Sequence, residues 1–279
     1  MELQTVKDWR RIVIKIGTNS IMKDVAQVDF KKLDRLAFVC STLVSEGYEV
    51  SIVSSGSVGV GASIMGIDVY PTDINEQQAL SSIGQSALMG HYSRFFNYYN
   101  RNVAQILLTK DVFDFGKSYG NFKNTIFNLI ARGVVPIMNE NDAVSLEELE
   151  HVTKFGENDT LAAIVAESID ADLLIILSDV DGFYDSNPKN NPDAKRLSQV
   201  TEINDDVRSM ATGVGSEFAK GGMATKINAA ERMINNDASM VIADSEDPVV
   251  IFQILNGYDR GTLFSRVVDR KEHLPNDKI

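Results

Sequence analysis

Lys15 is the first residue of this sequence whose chemistry demands an explanation. It interrupts the apolar run Ile12-Val13-Ile14-Lys15-Ile16. An ammonium group is costly to bury without a partner. It either reaches past the end of a strand into water or points into a site that holds negative charge. Polar and glycine residues recur after the other apolar runs. Gly17 and Thr18 follow the first run, and Ser54, Ser55, Gly56, Gly59 and Gly61 follow the second. Asn139, Glu140, Asn141 and Asp142 follow a later one, and Ser178, Asp179, Asp181 and Gly182 another. Gly156, Asn158 and Asp159 stand just before a helical segment. Small residues between a strand and a helix let backbone N–H groups approach an anion, and the helix N-terminus adds positive potential. The segment Ser54 to Gly61 fits that use, and it also fits a plain flexible turn. Lys226 follows Gly221-Gly222-Met223-Ala224-Thr225 and opens a helix. It is either a second phosphate ligand or a solvated surface lysine.

Several other chemistries are excluded. No Gly-Lys-Ser/Thr occurs, so there is no Walker A loop, and Ile64 stands where a dinucleotide fingerprint beginning at Gly59 and Gly61 needs its third glycine. His91, His151 and His273 are far apart and Cys40 is the one cysteine, which argues against structural zinc and forbids an internal disulfide. No Ser-His-Asp arrangement can be argued. Cys40 lies in the apolar run Leu36 to Cys40 and reads as a structural thiol on a buried helix face. His91 reads as a surface or packing residue. The formal net charge is -12 and lysine and arginine are scattered, so a nucleic-acid binder is not expected. The acidity reads as solubility, and any anion site must be made locally positive by placed lysines and backbone N–H groups. No stretch approaches the roughly 20 apolar residues of a membrane span, and residues 1–11 lack the apolar core of a secretory leader. A cytoplasmic enzyme is expected.

The elements that must position these residues are short apolar strands alternating with amphipathic helices. Strands are expected at Ile12 to Ile16, Glu49 to Ser54, Val103 to Thr109, Val134 to Met138, Leu173 to Leu177 and Met240 to Ala243. Helices are expected at Asp29 to Glu46, Asn75 to Asn97, Phe122 to Arg132, Asp159 to Ser168, Thr225 to Asn235 and Val249 to Leu255. Gly84 and Gly90 weaken the second helix, and Gly133 ends the third. Gly182 to Lys195 reads as irregular turn structure, and Gly213 to Gly222 as a glycine-rich loop. The β-α alternation predicts an α/β fold, a three-layer αβα sandwich with a mainly parallel central sheet. Ligands of such sheets bind beyond the carboxyl ends of the strands, where the polar residues above are found.

With the residues in this order, the sequence resembles the amino acid kinase superfamily, and within it the branch that phosphorylates the side-chain carboxylate of L-glutamate. The resemblance spans about Arg11 to Phe264. It rests on Val13-Ile14-Lys15-Ile16-Gly17-Thr18, Val53-Ser54-Ser55-Gly56, Asn139-Glu140-Asn141-Asp142, Phe155-Gly156-Glu157-Asn158-Asp159, Leu177 to Tyr184, and Gly221 to Lys226. It implies an amino acid kinase-like fold in one kinase domain over 1–268. About 1–165 would be the acceptor-binding half and about 166–268 the nucleotide-binding half, with a short tail at 269–279. Many members carry a C-terminal PUA domain, and this sequence is expected to hold the kinase domain alone. The loop 213–222 is longer than the family's glycine turn.

The resemblance also implies roles. Lys15, Asp159 and Lys226 would form the catalytic set, with Asp159 orienting the two lysines. Ser55, Asn139, Asp142 and Asn158 would bind glutamate. Lys15, Gly17, Gly56, Ser178, Asp179 and the stretch Lys220, Gly221, Gly222, Met223, Ala224, Thr225 and Lys226 would bind ATP. Mg²⁺ would be held mainly by the ATP phosphates, without a protein metal cage. The product would be the acyl phosphate that begins proline biosynthesis. Inhibition by proline, contact with glutamyl phosphate reductase and a homo-oligomer, dimer or tetramer, are further implications. Two rival readings remain open at this point. One is a kinase of the same fold acting on carbamate, aspartate, N-acetylglutamate or UMP, since fold does not choose a substrate. The other is a non-catalytic sensor of ATP and an amino acid.

Overall fold

A computed structural model describes residues 9–24, 27–144, 158–188, 190–212 and 222–266. The chain begins with β1 (Arg11–Ile16), α1 (Thr18–Ile21), a hairpin of β2 (Met22–Asp24) and β3 (Gln27–Val28), then α2 (Phe30–Ser45), β4 (Glu49–Ser54) and α3 (Ser57–Met65). It continues with α4 (Ile74–Tyr98), β5 (Val103–Leu108), α5 (Asp111–Asp114), α6 (Gly116–Ile130), β6 (Val135–Glu140) and α7 (Asn158–Ser168). The last part holds β7 (Leu173–Ser178), β8 (Gln199–Val200), α8 (Asp205–Thr212), α9 (Met223–Asn235), β9 (Ser239–Asp244), α10 (Val250–Leu255) and β10 (Thr262–Phe264).

Side chains of a strand alternate between its two faces, and here each face meets its own core. Ile12, Ile14 and Ile16 of β1 join Ile52, Ile175 and Val241 and the buried faces of α2, α4 and α10 in one cluster. Val13 joins Val53, Leu174, Ile176 and Ile242 with residues of α6, α7 and α9 in the other. This is the expected three-layer sandwich. The sheet order is β5-β6-β4-β1-β7-β9-β10-β8. All pairings are parallel except β9 with β10. From β1 the chain moves to β4 on one side, and from β7 it moves to β9 on the other. The crevice between β1 and β7 is therefore the topological switch point, where such sheets take their ligands.

Parity also fixes where the interior lysine goes. Lys15 shares the Val13 face and so points toward α7 and α9. Asn139 shares the face of Val135 and Ile137, which belong to the α4 side.

The expected elements are present, with corrections at their ends. The helix expected from Phe122 begins at Gly116, because Phe113 packs its ring on Tyr119 and Phe122 at centroid distances of 6.5 and 5.5 Å and draws the preceding turn into the helix. The strand expected to stop at Met138 runs on to Glu140, since Leu107 and Leu108 of β5 pair with Asn139 and Glu140. β8 and β10 were not foreseen: with two and three residues they are too short for a periodic signal. The described residues of 182–195 are irregular as expected, closed by an isolated bridge between Tyr184 and Arg196. Phe155, Gly156, Glu157, Lys220, Gly221, the rest of loop 213–221 and the tail after Val268 lie outside the described residues.

Candidate active site

Three charged groups meet at the switch point. Lys15 Nζ lies 2.7 Å from Asp159 Oδ1, and Lys226 Nζ donates to Asp159 Oδ2 at 3.0 Å. Asp159 is fully buried, and the lysines are 9% and 8% exposed. The three come from separate elements: β1, the first turn of α7 and the first turn of α9. Burial by itself would raise the Asp159 carboxyl, and the charges and hydrogen bonds of Lys15 and Lys226 outweigh it and hold it below the usual carboxylate range. Two lysines against one carboxylate leave a surplus positive charge in a nearly dry place. Such a surplus is costly unless an anion completes it. Lys15 thus turns to a buried carboxylate rather than out to water, and Lys226 is not a solvated surface residue.

The backbone around the lysines is shaped for close approach. A Cβ placed on Gly17 would stand 3.4 Å from Lys15 Nζ. Gly56 has φ +99°, a left-handed conformation that L side chains rarely adopt, and it turns the chain from β4 into α3. Gly222, with φ +93°, does the same ahead of α9. The N-termini of α3, α7 and α9 all open here, and the dipoles of helix N-termini favour an anion at the same spot. Met223 and Ala224 form the first turn of α9 beside Thr225, whose Oγ1 lies 3.2 Å from Asp159 Oδ2 and 2.9 Å from the carbonyl of Gly222. Ser178 closes β7 and donates to Asp179 at 3.1 Å, across the crevice from Lys15.

A second, polar cluster sits on the β4 side. Asn158 Nδ2 lies 2.7 Å from Ser55 Oγ, 3.0 Å from the carbonyl of Ser54 and 3.0 Å from Asn139 Oδ1. Asn139 in turn donates to Gln85 Oε1 at 2.8 Å. Asp142 Oδ2 accepts from Ser57 at 3.1 Å and from Ser81 at 2.9 Å. Ser55, Asn139 and Asn158 thus form one hydrogen-bonded group, and Asp142 stands with two serines that were not foreseen. Ser57, Ser81 and Gln85 gave one faint signal: Ser81 and Gln85 are four residues apart on a helix, hence on one face. Gly61 differs from expectation. It does not cradle an anion, since a Cβ there would stand 2.0 Å from the carbonyl of Leu80, and its role is the packing of α3 on α4. Cys40 is buried and burial pushes its thiol up, as a structural cysteine should behave. His91 packs edge-on against Phe30 at 4.9 Å.

The family model described as the amino acid kinase family matches residues 10–244, and the chain belongs to that family. Within it the similarity is strong and nearly end to end with proteins named glutamate 5-kinase. The one from Listeria innocua is 47% identical over 274 residues, covering 98% of each chain. That from Ligilactobacillus salivarius is 48% identical over 266 residues, covering 95% of this chain and all of the relative. Solved structures share the fold at much lower identity. UMP kinase from Bacillus anthracis is 18% identical with a TM-score of 0.62, covering 93% of this chain and 97% of that one. Isopentenyl phosphate kinase from T. acidophilum is also 18% identical, with a TM-score of 0.60, covering 91% and 99%.

Proposed function

We propose that this protein transfers the γ-phosphoryl group of ATP to the side-chain carboxylate of L-glutamate, giving ADP and L-glutamyl 5-phosphate. The buried triad Lys15–Asp159–Lys226, with its surplus positive charge at the switch point, is the observation that carries phosphoryl transfer. The choice of glutamate draws on the near full-length likeness to glutamate 5-kinases. In the reaction a carboxylate oxygen bonds to the γ-phosphorus as the bond to the β-phosphate oxygen breaks, and ADP leaves with that electron pair.

The acceptor is ionised at neutral pH, since a glutamate side chain has a reference pKa of about 4.3. No general base is therefore needed. The obstacle is repulsion between two anions, and positioning and electrostatics must supply the rate. In this reading Lys15 and Lys226 neutralise the equatorial oxygens of the transferring group. Asp159 holds both ammonium groups in register and is itself held ionised by them. Backbone N–H groups at Gly17 and Gly56 face the phosphates. Ser178, Asp179 and the first turn of α9, Gly222 to Thr225, border the nucleotide, and the role given to Lys220 and Gly221 extends that border. Ser55, Asn139 and Asn158 bind the acceptor's carboxylates, and Asp142 takes its α-ammonium group. The acceptor half is thus the β4–β5 side of the sheet, about 1–165, and the nucleotide half the β7–β8 side, about 166–268.

Mg²⁺ bound to ATP would neutralise phosphate charge. The residues present suit an ion carried in by the nucleotide, because both oxygens of Asp159 already face lysines and Mg²⁺ readily keeps waters beside substrate phosphates. Inhibition by proline, hand-over of the reactive product to glutamyl phosphate reductase, assembly into dimers or tetramers and a cytoplasmic location belong to the same reading and draw on family likeness alone. The test is acceptor-dependent ADP release with Mg-ATP. Glutamate should stimulate it far above aspartate, N-acetylglutamate, carbamate and UMP, and ADP release indifferent to glutamate would end the proposal.

A further inference from the structure

Asp142 is held by serines from two helices, and those helices cross unusually closely to bring them there. Ser57 opens α3 and Ser81 lies on α4, each 3% exposed. Their hydroxyls are 3.0 Å apart, and both donate to Asp142 Oδ2. A Cβ at Gly84 would stand 1.8 Å from the carbonyl of Ser57, and one at Gly61 2.0 Å from the carbonyl of Leu80. Glycine at both positions is what permits the crossing. One turn beyond Ser81 on the same face of α4, Gln85 accepts from Asn139, whose own carbonyl oxygen meets Asn158. The buried polar face of α4 thus touches both sides of the acceptor cluster while contributing nothing to the lysine triad.

We propose that Ser81 and Gln85 are positioning residues for the acceptor: Ser81 fixes the Asp142 carboxylate that receives the α-ammonium group, and Gln85 fixes the Asn139–Asn158 amide pair that receives the carboxylates. The inference rests on the acceptor assignment above. A hydroxyl hydrogen bond to a carboxylate both orders it and lowers its cost of burial. Without Ser81 the carboxylate can rotate away from the geometry a zwitterionic amino acid needs. Without the Gln85 acceptor, the Asn139 amide loses the partner that sets which of its ends faces Asn158.

The experiment is steady-state kinetics of the full chain, measured as ADP release with glutamate and ATP varied in turn. Wild type is compared with Ser81→Ala, Gln85→Met, Asp142→Asn and the double variant Ser81→Ala/Asp142→Asn, with thermal unfolding confirming that each is folded. Ser81→Ala and Gln85→Met should each raise the KM for glutamate about tenfold, the size expected for one hydrogen bond to a charged or network group. The KM for ATP should stay within about twofold. In the Asp142→Asn background the Ser81→Ala effect should shrink to under about twofold, because Ser81 acts only through the carboxylate charge that this change has already removed. Gln85→Glu keeps the acceptor oxygen and should recover more glutamate affinity than Gln85→Met. An unchanged glutamate KM in folded Ser81→Ala would overturn the proposal, as would an effect equally large in both backgrounds or KM values for ATP and glutamate rising together. Absence of glutamate-dependent turnover in wild type would instead overturn the acceptor assignment itself.

Discussion

At the scale of single residues, the triad sets the energetics. In the proposed mechanism, replacing Lys15 with alanine removes one of the two ammonium groups assigned to the phosphates. We expect kcat to fall on the order of 100-fold, comparable to loss of an oxyanion donor, in a protein that remains folded; unchanged turnover would remove Lys15 from the mechanism. Asp159→Asn is expected to do more harm to stability, about 3–5 kcal/mol in a denaturant titration, because it leaves two nearly buried ammonium groups uncompensated. The sign with pH follows from the depressed carboxyl of Asp159. Its contribution is fully present above the unfolded-state value of about 3.9 and is lost as pH falls through the lower folded value. The stability difference between wild type and Asp159→Asn should therefore narrow on acidification below about pH 4, and a constant difference would contradict the pairing. Lys15 was legible in the sequence because a lysine in an apolar strand is an anomaly. Its partner was legible only through family resemblance, since a lone aspartate at a helix start has many uses.

At the scale of elements, strands and long helices were readable because their apolar residues recur with the right period. The crossing of α3 and α4 was not. In sequence, Gly61 looked like part of an anion cradle and Gly84 like a weakness in a helix. Together they are the contact surface of two helices, a property that only the packed pair reveals. The prediction here is Gly84→Ala. A methyl group cannot fit 1.8 Å from the Ser57 carbonyl, so α3 must move away from α4, separating Ser57 from Ser81. Overpacking of this kind costs about 1–3 kcal/mol, and glutamate affinity should fall more than ATP affinity. By contrast Gly90→Ala, where a Cβ meets nothing within 4 Å, should be neutral or slightly stabilising on helix propensity. Equal glutamate affinities in the two variants would show that the crossing does not order the acceptor site.

At the scale of the molecule, the sheet order explains how an acidic chain can hold two anions side by side. The strands β1, β4, β6 and β5 lie on one side of the crevice and β7, β9, β10 and β8 on the other. Each side brings polar residues to its carboxyl end, and the lysines stand between. That plan was legible, since α/β alternation and polar residues after strands suffice to place a site at the sheet's end. The short strands β8 and β10 were not, because pairing at a sheet edge is decided by tertiary contacts. A mechanism without a general base predicts that kcat/KM for glutamate carries no limb near the histidine range, and that His91→Gln, on α4 packed against Phe30, leaves the profile unchanged. A limb that moved with His91 would require a different mechanism. Transfer to the side-chain carboxylate is tested by trapping the product. The purified chain is incubated with Mg-ATP, glutamate and hydroxylamine, and the hydroxamate is identified by mass spectrometry against α- and γ-glutamyl standards. The γ-hydroxamate is expected in amounts matching the ADP released; ADP without hydroxamate, or the α-isomer, would rule out transfer to the side-chain carboxylate.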